Sequence, residues 1–310
     1  MEKTRIVFMG TPVFGREILR SLVEAGYDVV AAVCQPDKAV GRKQILTPCE
    51  VKEYAMAHNI KVIQPIKIRH EYQEVLDEDP DLIVTCAYGQ IIPEVLLNAP
   101  KLGCINVHAS LLPELRGGAP IQHSIIDGLD KTGITIMEMS KAMDAGNIIT
   151  QAECEILEED TYGSLHDRLI PIGQKLLLDI LPSIISGEYE SVPQDQEKVT
   201  FGMNITREEE HIDLSRGYRG VYNQIRGLIP APCCYGILEE KKLKIWSVKT
   251  SDITSDKQDG YLYYEGKDLA LVVEGRVLLI SELQPEGKNR MTSRDYRNGA
   301  GRNIEGKVLC

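Results

Sequence analysis

An α/β fold is predicted for this chain: a Rossmann-like parallel sheet in the N-terminal part, followed by a small C-terminal β-barrel of the OB-like kind. Three observations predict it. Short apolar runs alternate with helix-patterned segments as far as residue 185, the signature of parallel strands covered by helices on both faces. Polar residues with Gly187 and Pro193 then interrupt the pattern. Beyond them, short strand runs recur at about ten-residue intervals, as in small barrels. At 310 residues the chain has room for two domains of roughly 150 residues each. The expected division is 1–187, a linker over 188–203, and 204–310.

The elements follow from local pattern. Residues 5–9 form a short apolar run, and Ile18, Leu19 and Leu22 at helical spacing mark a helix over 16–24 that Gly26 stops. The turn between them resembles a dinucleotide-binding G-x-G-x-x-G, but Pro12 occupies the place of the second glycine. A proline there removes both the room and the N–H that a pyrophosphate needs, so a tight strand-to-helix turn is the better reading. The alternation continues with strands at 28–33, 61–63, 81–86 and 103–107, and with helices at 48–58, 72–78 and 93–97. A helix to Ile126, strands at 131–139 and 148–156, and a long helix over 161–185 with Pro171 inside it complete the first part. In the second part, Thr206 and Glu209 have capping-box spacing. A helix over 215–227 carries Arg216, Arg219 and Arg226, and strands are expected at 243–248, 261–264, 269–273 and 277–280.

Two loops depart from the pattern. Residues 34–48 make a connection of about fifteen residues where two to six are usual, and it presents Lys38, Arg42 and Lys43 against one acid, Asp37. The segment is functional or simply a solvated loop. The other, 87–93, follows the strand at 81–86, and Gly89 and Pro93 suit it to lining a pocket beside the loop after residue 107.

Composition narrows the partners. The net charge of −11 argues against a polyanion partner for the chain as a whole, but the charge is uneven. Residues 1–205 hold 18 lysines and arginines against 30 acids, whereas 206–310 hold 17 against 16, which frees the second part to present a basic face. The eight cysteines include no C-x-x-C pair and no histidine lies at ligand spacing from another, so no metal is expected. Mostly buried thiols in a reducing compartment are the expectation. No apolar run reads as a membrane span and the N-terminus lacks a signal-peptide pattern, which suggests a cytoplasmic protein.

The chemistry concentrates in residues 103–120. Asn106 and His108, at i and i+2 of a strand, share one face close to its carboxyl end, where open α/β sheets keep their ligand sites. Asp144 follows a later strand. An amide donor, an imidazole and a carboxylate converging there can run an acyl-type transfer without a covalent intermediate. No G-x-S-x-G is present, and Ser110 lies two residues from His108, a poor arrangement for a Ser-His pair. Taken singly, each of the three has an ordinary structural reading.

The run Asn106, His108, Ser110 to Pro113 reads N-x-H-x-S-L-L-P; with R-G-G-A-P from Arg116 and M-D-A-G from Met143, it resembles the folate-dependent formyltransferases. Further matches to the tRNA-acting branch of that family are V-F-M-G-T-P from Val7, Q-P-D-K from Gln35, A-Y-G-Q from Ala87 and P-E-G-K-N-R-M from Pro285. The resemblance implies transfer of a formyl group from 10-formyltetrahydrofolate to the α-amino group of methionine on initiator methionyl-tRNA. It implies catalytic roles for Asn106, His108 and Asp144. The folate would face Tyr88, Gly89, Gln90, Ile91, Ser110, Leu111, Leu112 and Pro113, and the tRNA would meet Arg42, Lys43 and Arg207. A monomer that needs no metal is expected. Two family aromatics are replaced, by Leu214 and Ala231, which bears on the C-terminal domain and not on the trio. A sugar-nucleotide amine is the rival acceptor, and a non-catalytic folate- or nucleotide-binding regulator is the rival class.

Overall fold

The computed structural model describes residues 3–40 and 44–310. Arg42 and Lys43 lie outside the described residues. In chain order the first part runs β1 (Arg5–Gly10), α1 (Val13–Glu24), β2 (Asp28–Val33), β3 (Lys38–Val40), β4 (Ile45–Thr47), α2 (Glu50–Ala57) and β5 (Lys61–Ile63). It continues with α3 (Gln73–Leu76), β6 (Leu82–Cys86), α4 (Glu94–Leu97), β7 (Cys104–His108), α5 (Pro120–Ile126), β8 (Lys131–Glu138), β9 (Ile148–Glu155) and α6 (Tyr162–Ser186). The rest comprises α7 (Gly217–Gly227), β10 (Tyr235–Leu238), β11 (Lys241–Lys249), β12 (Leu262–Glu265), β13 (Asp268–Val273), β14 (Arg276–Pro285), β15 (Met291–Thr292) and α8 (Ser293–Asn298). By packing, residues 1–120, 132–155 and 166–203 form one unit and residues 121–131, 156–165 and 204–310 another.

The first unit is built on a seven-stranded sheet in the order β5-β2-β1-β6-β7-β8-β9. Its central pairs, β2 with β1, β1 with β6 and β6 with β7, are parallel. Their residues are apolar almost without a break: Ile6, Val7, Phe8 and Met9 of β1 and Leu82, Ile83 and Val84 of β6 have no exposed surface, as strands covered on both faces require. β8 departs from the expected parallel sheet by running antiparallel to β7, with Ile105 opposite Glu138 and His108 opposite Thr135. The chain returns from residue 109 to residue 130 through α5 and enters β8 in the opposite sense. The 34–48 connection is not structureless either, since β3 and β4 pair within it as an antiparallel ribbon.

Helix α6 is long and apolar enough to cross a membrane by length and composition alone, which the run-by-run reading of the sequence did not register. Leu165, Leu169, Leu177, Leu181 and Ile184 recur at three- to eight-residue spacing and are buried in the protein, while Lys175 and Asp179 stand on the exposed side as an i,i+4 pair. Residues 188–203, expected as a linker, are bonded into the first unit through the bridges Ile148 to Val192 and Arg116 to Phe201.

The second unit is an antiparallel sheet in the order β10-β11-β14-β13-β12, with β15 on β14. β10, β15 and α8 are elements that the sequence did not predict. Register shifts between Ile245 and Val248 bend β11 against β14, the device by which small antiparallel sheets coil. Val221, Ile225 and Leu228 pack with Ile245, Leu269, Leu271, Leu278 and Ile280 in its core. Arg226, which the sequence offers as one of three basic residues on a helix, is only 3% exposed. Its Nη1 donates to the carbonyls of Leu157, Glu158 and Asp160, and its Nε donates to Asn223 Oδ1.

A lysine has one donor centre and no planar fork with which to span that set. Arg226→Lys is therefore expected to lower stability by about 2–3 kcal/mol, read as a shift of the urea midpoint, with carbonyls left unsatisfied in a buried site. An unchanged midpoint would show that this bonding contributes nothing to the fold.

Candidate functional site

The parallel register sets the site. Gly10 stands beside Cys86 and Thr85 beside Asn106, so the loops after β1, β6 and β7 leave the same edge of the sheet. Asn106 is half-buried near the end of β7. The hydroxyl of Thr85 donates to its Oδ1 at 2.9 Å, which leaves the two Nδ2 hydrogens as the donors of that amide.

His108, the last residue of β7, is 6% exposed. Its Nε2 lies 3.1 Å from the carbonyl oxygen of Leu115. A carbonyl only accepts, so Nε2 carries the hydrogen and the neutral ring keeps its lone pair on Nδ1. Asp144 Oδ1 stands 3.8 Å from that Nδ1, too far for a hydrogen bond but within ion-pair reach. A proton arriving at Nδ1 would create an imidazolium between a carbonyl and a carboxylate. The arrangement suits a proton acceptor that must hold its charge for a moment.

Asp144 is itself held. Its backbone takes a positive φ of 49°, a left-handed conformation that aspartate tolerates better than most residues, and its Oδ2 accepts from the backbone N–H of Gly117 at 2.8 Å. Gly117 has a φ of 127°, and a Cβ there would lie 2.6 Å from the Gly202 carbonyl. Gly146 is under a tighter limit, since a Cβ would come within 1.8 Å of the Glu138 carbonyl. Gln194 is the residue that sequence reasoning missed. It is buried, its Nε2 donates to the carbonyls of Asp144 and Gly146 at 2.8 Å each, and its Oε1 accepts from Nε and Nη2 of the buried Arg116 at 3.0 and 2.7 Å. Backbone bonds from Arg116 to Thr200 and from Gly202 to Arg116 close the arrangement. A glutamine in a polar, proline-containing stretch carries no sequence signal of this role.

Among the expected folate-facing residues, the Ser110 hydroxyl donates to the Glu114 carbonyl at 2.6 Å. The backbone of Ser110 and Leu112 is held by the Thr135 hydroxyl, which donates to Ser110 O and accepts from Leu112 N, and Gln151 donates to Leu112 O. Leu111 and Pro113 are half-buried. The Tyr88 ring packs in the core with Val7, Ile83 and Ile92, and burial pushes its phenol pKa up. Gln90 turns toward residues 65–68, accepting from Ile68 N and donating to Pro65 O. Gly89, with a φ of 81°, and Ile91, 68% exposed, are the outward positions of that loop. Arg207 is exposed on a turn closed by Thr206 and Glu209, each capping the other's backbone N–H. The structure thus joins His108 to Asp144 and sets Asn106 on the same strand. Arg207 belongs to the second unit. Among the described residues no group of three His, Cys, Asp or Glu could hold a metal ion.

Comparison with known proteins gives two family matches: "Formyl transferase" over residues 4–181 and "Formyl transferase, C-terminal domain" over residues 204–301. The chain is 51% identical over 301 residues to the methionyl-tRNA formyltransferase of Bacillus subtilis, covering 96% of this chain and 95% of that one. It is 48% identical over 308 residues to the enzyme of that name from Enterococcus faecalis, covering 98% of each. Among solved structures it is similar in fold to the sugar 3N-formyl transferase WlaRD, with a TM-score of 0.68 at 18% identity over 93% of this chain and all of that one. It is also similar to HypX from Aquifex aeolicus in complex with tetrahydrofolic acid, with a TM-score of 0.70 at 13% identity over 98% of this chain and 49% of that one.

The tie through Gln194 predicts that Gln194→Ala costs about 1–3 kcal/mol of stability, because it strips a buried guanidinium and two carbonyls of their partner. Denaturant unfolding measures it beside Glu197→Ala, an exposed neighbour expected to be neutral. Equal midpoints for the two variants would mean the tie holds nothing.

Proposed function

The chain belongs to the formyltransferase family, and from that premise we propose that it transfers the formyl group of 10-formyltetrahydrofolate to the α-amino group of methionine on initiator methionyl-tRNA. The observation that carries this reading is the likeness, near 50% and over almost the full length of both chains, to enzymes named methionyl-tRNA formyltransferase. The likeness includes the C-terminal domain, which a shorter formyltransferase would not need.

The reaction is direct attack by the amine on the formyl carbon through a tetrahedral intermediate. Asn106 is assigned the oxygen that gains charge: its Nδ2 hydrogens, oriented by Thr85, donate to it. His108 accepts the proton of the attacking amine at Nδ1 and returns it to the departing nitrogen. Asp144 holds the imidazolium in between. The folate supplies the activated formyl group. Gly89 and Ile91 fit one side of its ring system with open backbone and apolar surface, and the rigid backbone of Ser110, Leu111, Leu112 and Pro113 fits the other. Tyr88 and Gln90 act from behind, by fixing that loop. Residues 1–187 are assigned to catalysis and residues 204–310 to the body of the tRNA, with Arg207 contacting it and Arg42 and Lys43 meeting its acceptor end. The protein is proposed to work as a monomer in the cytoplasm.

The test is incubation with 10-formyltetrahydrofolate and either charged initiator tRNA or an amino-sugar nucleotide. Formyl-methionyl-tRNA is the expected product; turnover of the sugar nucleotide alone would overturn the assignment. His108→Ala is expected to slow transfer by roughly 10²–10⁴-fold while folate binding persists. Asn106→Ala should cost about 10²–10³-fold in kcat. Retained activity in either would remove that residue from the mechanism. Arg42→Ala should weaken use of tRNA and flatten the salt dependence of binding, and an unchanged salt slope would detach Arg42 from the nucleic acid.

A further inference from the structure

Two of the eight cysteines stand together, far apart in sequence terms but at the two ends of one loop. Cys34 directly follows β2, and its backbone N–H donates to the Ile63 carbonyl. Cys49 is the N-cap residue of α2. Several bonds hold these two chain segments side by side. Thr11 accepts from Gln35 N on its hydroxyl and from Val51 N on its carbonyl, while Lys52 Nζ contacts the Asp37 carboxylate at 2.7 and 2.9 Å. Gln64 donates to both Gln35 O and Asp37 Oδ1, which completes the clamp. Between the segments the two thiols come close enough for each to shift the other's ionisation. None of the mechanism above uses them.

The environment is unequal. Cys34 is fully buried, whereas Cys49 is half-exposed and stands at the N-terminal end of α2. The N-terminal end of α2 and the neighbouring Cys34 thiol both favour negative charge on the Cys49 sulfur. We propose that Cys49 and Cys34 form a peroxide-sensitive dithiol, with Cys49 as the attacking thiolate and Cys34 as the resolving thiol, which closes to a disulfide across the base of the 35–48 loop. The Cys49 sulfur attacks one peroxide oxygen, the O–O bond breaks and hydroxide leaves, so that sulfur is oxidised to a sulfenic acid and the peroxide is reduced. The Cys34 sulfur then attacks the Cys49 sulfur. The S–S bond forms, the S–O bond breaks, and the hydroxyl departs with the Cys34 proton as water.

The pKa of Cys49 is held at about 6, first by the neighbouring Cys34 thiol, and that of Cys34 is pushed up by the same neighbour and by burial. The inference does not depend on the assignment of the acceptor substrate. It is tested on the full chain with hydrogen peroxide at neutral pH, followed by alkylation, proteolysis and mass spectrometry. The expected result is a Cys34–Cys49 cross-linked peptide, with Cys310, exposed at the other end of the chain, left alkylated. In reduced protein the alkylation of Cys49 should rise with pH to a midpoint at about 6. Cys34→Ser should stop the reaction at a Cys49 sulfenic acid trapped by dimedone, and Cys49→Ser should leave Cys34 unreacted. Peroxide treatment that leaves the two unjoined would overturn the proposal, as would alkylation of Cys49 no faster than that of Cys310 at pH 7.

Discussion

The arrangement of the first unit depends on one constraint: buried parallel strands must start and end in register. β1, β6 and β7 are paired so that Gly10, Cys86 and Asn106 come to the same edge of the sheet. Each strand is apolar through its length because helices cover both faces, and polar side chains are admitted only where the strands give out. Thr85 and Asn106, then His108, occupy that margin. Their chemistry is therefore a by-product of where burial ends. The antiparallel return of β8 sets Thr135 opposite His108, where its hydroxyl holds the Ser110 and Leu112 backbone in place.

A second layer of order surrounds the carboxylate. Asp144 sits in a left-handed turn, which has no ladder bonds of its own to hold it. Gly117 N, the Gln194 amide and the Gly146 backbone packed on Glu138 immobilise it instead. This matters because a carboxylate 3.8 Å from Nδ1 acts through its charge and not through a bond, so its effect depends on the distance being kept. Preorganisation of that kind removes reorganisation from the reaction coordinate.

On the proposed function, chemistry and choice of acceptor divide along the chain. The residues proposed for formyl transfer lie in the more acidic first part, and the nearly neutral second part carries an antiparallel sheet and exposed basic residues such as Arg207. Arginine by itself is a poor guide to that division. Arg226 and Arg116 are both buried and spend their donors on carbonyls and an amide oxygen inside the protein, and neither is available to a phosphate.

By itself the sequence determined the strand-helix alternation of the first part, because most of its elements announce themselves through the periodicity of a dozen or fewer neighbouring residues. It also determined the family, because N-x-H-x-S-L-L-P and M-D-A-G are local strings. What only the tertiary structure decided are relations between distant segments: the antiparallel return of β8, the pairing of β3 with β4, and the binding of residues 188–203 into the first unit. It also decided which loop residues face outward. Tyr88 and Gln90 belong to the same four-residue string as Gly89, yet one ring is in the core and one amide is turned to residues 65–68. Gln194 and the Cys34–Cys49 pair make the same point. A side chain's role as a tie or a redox partner depends on what lies across from it, and sequence spacing carries no record of that.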